Sequence, residues 1–179
     1  MNGPRALSAL WSVAVALGAA AAQEAVPVQE AVSADGRWRV RGEAAQVVVF
    51  DRDRPVRTLP SRSLQGGESA AVRQVQHLPA RRSFVIAFHA PMRELWELSV
   101  DPDAAPVFDG MVHDHRMGEA IASPGFLGVR RTPLERPVDA LAADAAGGPF
   151  VLARSAGEWL LINLDVRRAI ARYPRLQGD

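Results

Sequence analysis

ADGRWRVRGEAAQVVVFDRDRPVRTLP, residues 34–60, and AGGPFVLARSAGEWLLINLDVRRAIARYP, residues 146–174, follow one plan. Each has a small-residue turn, an aromatic (Trp38 or Phe150), a short extended run, a glycine-containing turn, a second apolar run closing on Asp51 or Asp165, and an arginine-rich third run. A third copy is RRSFVIAFHAPMRELWELSVDP, residues 81–102, with Phe84 in the aromatic position and Asp101 as the closing acid. The runs are short, rich in Val, Ile, Phe and Trp, and punctuated by Gly, Pro and Asp, which predicts strands rather than helices. In WRVR the alternation is strict: Trp38 and Val40 fall on one face, Arg37, Arg39 and Arg41 on the other. VVVF (47–50) and WLLINL (159–164) are continuously apolar, as strands buried on both faces would be.

A repeated antiparallel unit with a polar outer strand is a β-propeller blade. The expected fold is therefore all-β, a partial β-propeller of about three to four antiparallel blades. The interval from Trp38 to Phe84 is shorter than that from Phe84 to Phe150, so extra sequence lies between Asp101 and Gly147. That extra stretch, including PGFLGVRRTPLERP (124–137), reads as long loops with one short strand. Closed propellers have about four to eight blades. Three blades thus imply a ring completed by copies of the chain or by further blades.

The N-terminus carries a positive end (MNGPR), an apolar run (ALSALWSVAVALG) and a small-residue stretch near Ala22. This is the pattern of a cleavable signal peptide over 1–22, too short in its apolar run for a membrane anchor. The expected organisation is a signal peptide (1–22), a linker (23–33) and one domain (34–179), with the mature chain periplasmic and not inserted in the membrane. The chain has no cysteine, which excludes disulfides, thiolate metal sites and covalent attachment of a c-type heme. A net charge of +1 gives no electrostatic argument for nucleic acid.

The chemically densest stretch is VHDHRMGEA, residues 112–120. If it is extended, His113 and His115 share a face and Asp114 takes the other. One reading is a cupin-like mononuclear metal site from His113, His115 and Glu119 closed by Gly125, although no histidine follows His115 to serve as the later ligand. For His77 (QVQHLP) and His89 (AFHAP), both at strand ends, surface or hydrogen-bonded structural roles are expected.

The stretch SFVIAFHAPMRELWELSVDPDAAPVFDGMVHDHRMGEAIASPGFLGVRRTPL, followed by LINLDVRRAIARYP, resembles the heme d1-binding propeller of cytochrome cd1 nitrite reductases and of related proteins of heme d1 biosynthesis. The resemblance runs from about Ser33 to Pro174 and includes the cytochrome d1/YVTN type of blade repeat. It implies heme d1 as cofactor and His113 as a distal pocket histidine that donates protons, imidazole titrating near neutral pH. It further implies His115 in the same pocket and Arg116 paired with a heme carboxylate, a geometry the guanidinium fork suits. Self-association or a c-type cytochrome is the implied partnership. The family's propeller is eight-bladed, so the chain corresponds to less than half of it and is not expected to be catalytic alone. A cofactor-free repeat module and the cupin-like enzyme are the alternative readings.

Overall fold

The computed structural model of the protein describes residues 29–64, 67–108, 122–143 and 148–174. They form three four-stranded antiparallel sheets, matching the expected partial propeller. Blade I is β1 (Gln29–Val32), β2 (Trp38–Gly42), β3 (Gln46–Asp51) and β4 (Arg54–Pro60). In blade II, β5 (Val72–Leu78), β6 (Ser83–Phe88) and β7 (Glu94–Ser99) are consecutive; the fourth strand comes only after an excursion. That excursion carries a two-stranded ribbon, β8 (Val107–Phe108) with β9 (Ala122–Ser123), and returns as β10 (Val129–Pro133), which pairs with β7. Blade III is β11 (Ala140–Ala143), β12 (Phe150–Ser155), β13 (Glu158–Asn163) and β14 (Arg168–Tyr173). β5 touches both β1 and β11, so the first strands of the blades stand side by side.

The aromatic of each repeat sits in the second strand of its blade, and the closing acid ends or follows the third. The outer strands β4 and β14 are the most exposed of their sheets, as their arginine content requires. Alternation in β2 places Trp38 and Val40 inward, and β3 is buried on both faces. The turn from β12 to β13 is a two-residue Ala156–Gly157 connection with φ of 50° and 84°, the left-handed pair that matches strand twist in a tight hairpin.

The core consists of two slabs, one between each pair of blades. Blade I contributes Trp38, Val40, Val47 and Val49 against Phe84, Ile86, Phe88 and Trp96 of blade II. Phe88 and Trp96 meet edge to face, centroids 4.7 Å apart. The opposite face of blade II, with Val85, Ala87 and Leu95, packs on Val151, Ala153, Leu160 and Ile162 of blade III. This is why β6 is buried at every position: it has a sheet on either side. Blade I comes close to blade II at Gly42, where an added Cβ would lie 2.3 Å from Val72 Cβ. Gly42→Ala is expected to cost about 1–3 kcal/mol, read as a lower urea midpoint at unchanged slope, because the two strands must separate to admit the methyl group.

Three expectations need correction. The segment assigned as linker carries β1, which pairs with β2 from Gln29↔Gly42 to Val32↔Arg39, so sheet structure begins before residue 34. WLLINL is not buried on both faces: Leu160 and Ile162 point into the slab, while Trp159 and Leu161 are only half-buried, no described sheet lying beyond blade III. The stretch between Asp101 and Gly147 holds four strands, not one; β10 completes blade II and β11 opens blade III. Arginines at both parities of VRRTP and the alanine-rich ALAA mask their strand character in sequence. Residues 1–22 and most of the expected linker lie outside the described residues.

Candidate functional site

The turns from first to second strand and from third to fourth strand lie on one rim of the blades, and the charged residues of the repeats gather there. Each closing acid pairs with an arginine of a first-to-second turn. Arg37 donates through Nε and Nη2 to Asp51, both at 3.0 Å. Arg82 meets Asp101 at 2.8 Å. Arg81 reaches into the neighbouring blade, where Nη2 donates to Asp165 Oδ1 at 2.8 Å. Arg81 also grips Glu97, with Nε to Oε1 at 2.7 Å and Nη2 to Oε2 at 3.1 Å, while Ser83 Oγ donates to Glu97 Oε1 at 2.9 Å. Glu97 is 6% exposed. The hydrogen bonds to Glu97 hold the Arg81 guanidinium firmly protonated.

Two clefts flank the Pro79–Arg82 turn. One, of about 380 Å³ between blades II and III, is lined by Arg81, Glu97, Ser99, Asp101, Arg130 and Asp165. The other, of about 200 Å³ between blades I and II, is lined by Ser33, Asp35, Arg37, Trp38, His77 and Arg82. The ribbon β8–β9 borders the larger cleft through Val107, and Arg167 Nη1 donates to Phe108 O at 3.2 Å, tying blade III to the ribbon. Gly125 is set by packing: an added Cβ would meet the Ala104 and Ala105 carbonyl oxygens at 2.0 and 2.2 Å. On the inner strands, the Gln74 carboxamide pairs with the Leu141 backbone, Oε1 accepting from its N–H at 2.8 Å and Nε2 donating to its carbonyl at 3.2 Å. It substitutes for a strand partner between β5 and β11.

His113, His115 and Arg116 lie outside the described residues, as do Glu119 and the rest of 109–121. The structure places β8 and β9 on either side of that segment, at the charged rim. His77 belongs to this rim as well, its ring 4.9 Å from that of Phe84. His89, in the β6–β7 connection, sits at the other end of blade II, so the two described histidines do not converge. The cupin-like reading loses its fold, since three sheets built as consecutive strands are not the paired Greek keys of a cupin. Among the described residues no three His, Asp or Glu side chains are grouped to hold a metal.

Burial holds His77 below the ordinary imidazole range, with Asp35 opposing, and burial followed by the charge of Arg73 does the same for His89. Asp35 is held low by hydrogen bonds from the Ser33 hydroxyl and the Arg37 amide, Asp51 by Arg37. All four pKa values are depressed on folding. Their stabilisation is therefore complete above the unfolded values and is lost as pH falls, through the histidines below about 6.5 and the aspartates below about 4. The melting temperature is expected to decline from neutral pH in these two stages, and His77→Gln to flatten the upper one. A profile flat between about pH 7 and 5 would contradict this.

No family model and no curated protein matches the chain. Solved structures do. Dihydro-heme d1 dehydrogenase NirN, in complex with DHE, is 25% identical, with TM-score 0.63 over 83% of this chain and 28% of that one. The periplasmic gluconolactonase PpgL of Pseudomonas aeruginosa is 15% identical, TM-score 0.56, over 82% and 39%. Apo AztD of Citrobacter koseri is 10% identical, TM-score 0.52, over 87% and 36%. The last two share the fold alone. The chain spans about a quarter to two-fifths of the length of these proteins. Together they support a β-propeller-like relationship for this chain.

Proposed function

We propose that this chain is a periplasmic, heme d1-associated propeller segment that is not catalytic by itself. Three blades hold a charged rim and present residues 109–121 between β8 and β9, with His113 and His115 as pocket imidazoles and Arg116 as partner for a tetrapyrrole carboxylate. The observation that carries the reading is the 25% identity to dihydro-heme d1 dehydrogenase NirN across 83% of the chain. The strands that flank this segment in sequence, β8 and β9, border the charged cleft through Val107, which supports the reading. The described residues of the rim alone do not fit a tetrapyrrole. Clefts of 380 and 200 Å³ sit at the small end of ligand sites, below what a four-ring macrocycle fills, and the rim's one described histidine is stacked on Phe84. No chemical step is therefore assigned through the group.

The test is a comparison of the wild type with His113→Ala, His115→Ala and Arg116→Ala, each titrated with heme d1 and followed by absorbance. His113→Ala should change the bound spectrum, and Arg116→Ala should weaken binding about tenfold without changing it. Identical titrations for all four proteins would overturn the assignment. A cofactor-free repeat module is the second reading. It is favoured by the commitment of Arg37, Arg81 and Arg82 to Asp51, Glu97, Asp165 and Asp101, which leaves those groups to join blades rather than to bind.

A further inference from the structure

The face of blade II that looks toward blade III changes character along its strands. Val85, Ala87 and Leu95 pack into the slab, but nearer the rim the same face carries Ser83, Glu97, Ser99 and Arg130, with Arg130 directly opposite Glu97 across β7–β10. Side chains so placed have Cβ atoms about 4.5–5.5 Å apart, close enough to pair. Arg130 and Glu97 do not pair. Glu97 is held by Arg81 and Ser83 instead, and among the described residues the half-buried Arg130 has no hydrogen-bond or ion-pair partner. Arg130 lines the cleft of about 380 Å³ between blades II and III, and on the blade III wall the charge balance is reversed. The single charge of Arg81 is divided between Glu97 and Asp165, while Arg82 answers Asp101. Asp165 accepts from Arg81 through Oδ1 alone; its side chain is 54% exposed, and Oδ2 has no donor among the described residues.

We propose that this cleft binds a free α-amino acid as its zwitterion, with the carboxylate on Arg130 and the ammonium on Asp165. One wall carries a cation without a counter-charge, the other a carboxylate oxygen without a donor. A lone anion or a lone cation would answer only one of them. The guanidinium fork suits a carboxylate in bidentate geometry. Ser99 adds a donor: its Oγ accepts from the Asp101 amide at 3.1 Å, so its own hydrogen is free to turn to the ligand. The rest of the lining includes Ala80, Ala104, Ala105, Val107 and Pro149, small apolar groups that suit an aliphatic side chain rather than a charged one. A volume of about 380 Å³ is at the small end of ligand sites, the right scale for a single amino acid. The inference does not rest on the proposed tetrapyrrole, for which this cleft is too small. Both of its walls belong to blades II and III, so it is equally independent of what lies beyond the outer blades.

The experiment is isothermal titration calorimetry of the purified protein, without heme, against L-valine, L-leucine, N-acetyl-L-leucine and L-leucinamide. The last two lack the ammonium and the carboxylate charge respectively. L-Valine or L-leucine should bind at one site per chain, and each leucine derivative at least about tenfold more weakly than leucine. Arg130→Met and Asp165→Asn should each weaken the amino acid about tenfold or more. Arg130→Met should leave the urea midpoint unchanged, since the guanidinium has no partner to lose, which separates loss of the ligand from loss of the fold. Failure of both amino acids to bind, derivatives that bind as well as leucine, or variants of unaltered affinity would overturn the proposal, whatever the heme d1 titration gives.

Discussion

Arg81→Leu is expected to lower stability by about 3–5 kcal/mol. The reason is what it leaves behind. Glu97 faces blade III from β7, in sequence between Trp96 and Leu98, and its charge is tolerated because Arg81 supplies two hydrogen bonds and Ser83 a third. Without Arg81 the mostly buried carboxylate keeps one donor, and the contact of blade II with Asp165 of blade III is lost as well. The double variant Arg81→Met/Glu97→Leu should regain most of the loss, since replacing a whole buried pair by apolar groups is close to neutral. Urea denaturation of the three proteins checks both statements. A loss below about 1 kcal/mol for Arg81→Leu would show the pair to be effectively solvated.

Glu94→Leu is expected to cost about 2–4 kcal/mol, by a different route. Glu94 lies on the opposite face of β7 from Glu97, toward blade I. It accepts from the Trp96 indole at 2.9 Å and from the Leu64 backbone amide, in the connection between blades I and II, also at 2.9 Å. Arg131 stacks on Trp96 at 4.5 Å and stands 3.9 Å from the carboxylate. Leucine removes both acceptors and leaves two donors and a guanidinium against an apolar neighbour. Glu94→Gln, which can still accept one of these bonds, should recover about half the loss. An equal loss for glutamine and leucine would show that charge, not hydrogen bonding, is what the site requires. ELWELS thus joins both neighbouring blades from one strand, through acids three positions apart.

Much of this was legible in the sequence because blades repeat their punctuation. The aromatic at 38, 84 and 150 marks a second strand, and Asp51, Asp101 and Asp165 mark the ends of third strands because each acid meets an arginine of the rim. The strands β10 and β11 were not legible. VRRTP places arginine at both parities, with Arg131 stacked on Trp96 and Arg130 lining the cleft between blades II and III. Nor was the ion pair of Arg81 with Glu97 foreseen, since the partners are far apart in sequence. A signal was present: Glu97 alternates against Trp96 in a run apolar on either side, and a charge at that parity needs a partner. Gly125, read as the end of a metal motif, is explained by the carbonyls of Ala104 and Ala105.

Absorbance titration of the wild-type protein with heme d1, beside the same titration with protoheme, tests the central claim most directly. The account predicts a saturable shift of the heme d1 bands at a fixed stoichiometry, absent or far weaker with protoheme. A folded protein that leaves the heme d1 spectrum unchanged, or that takes up both tetrapyrroles alike, would contradict it.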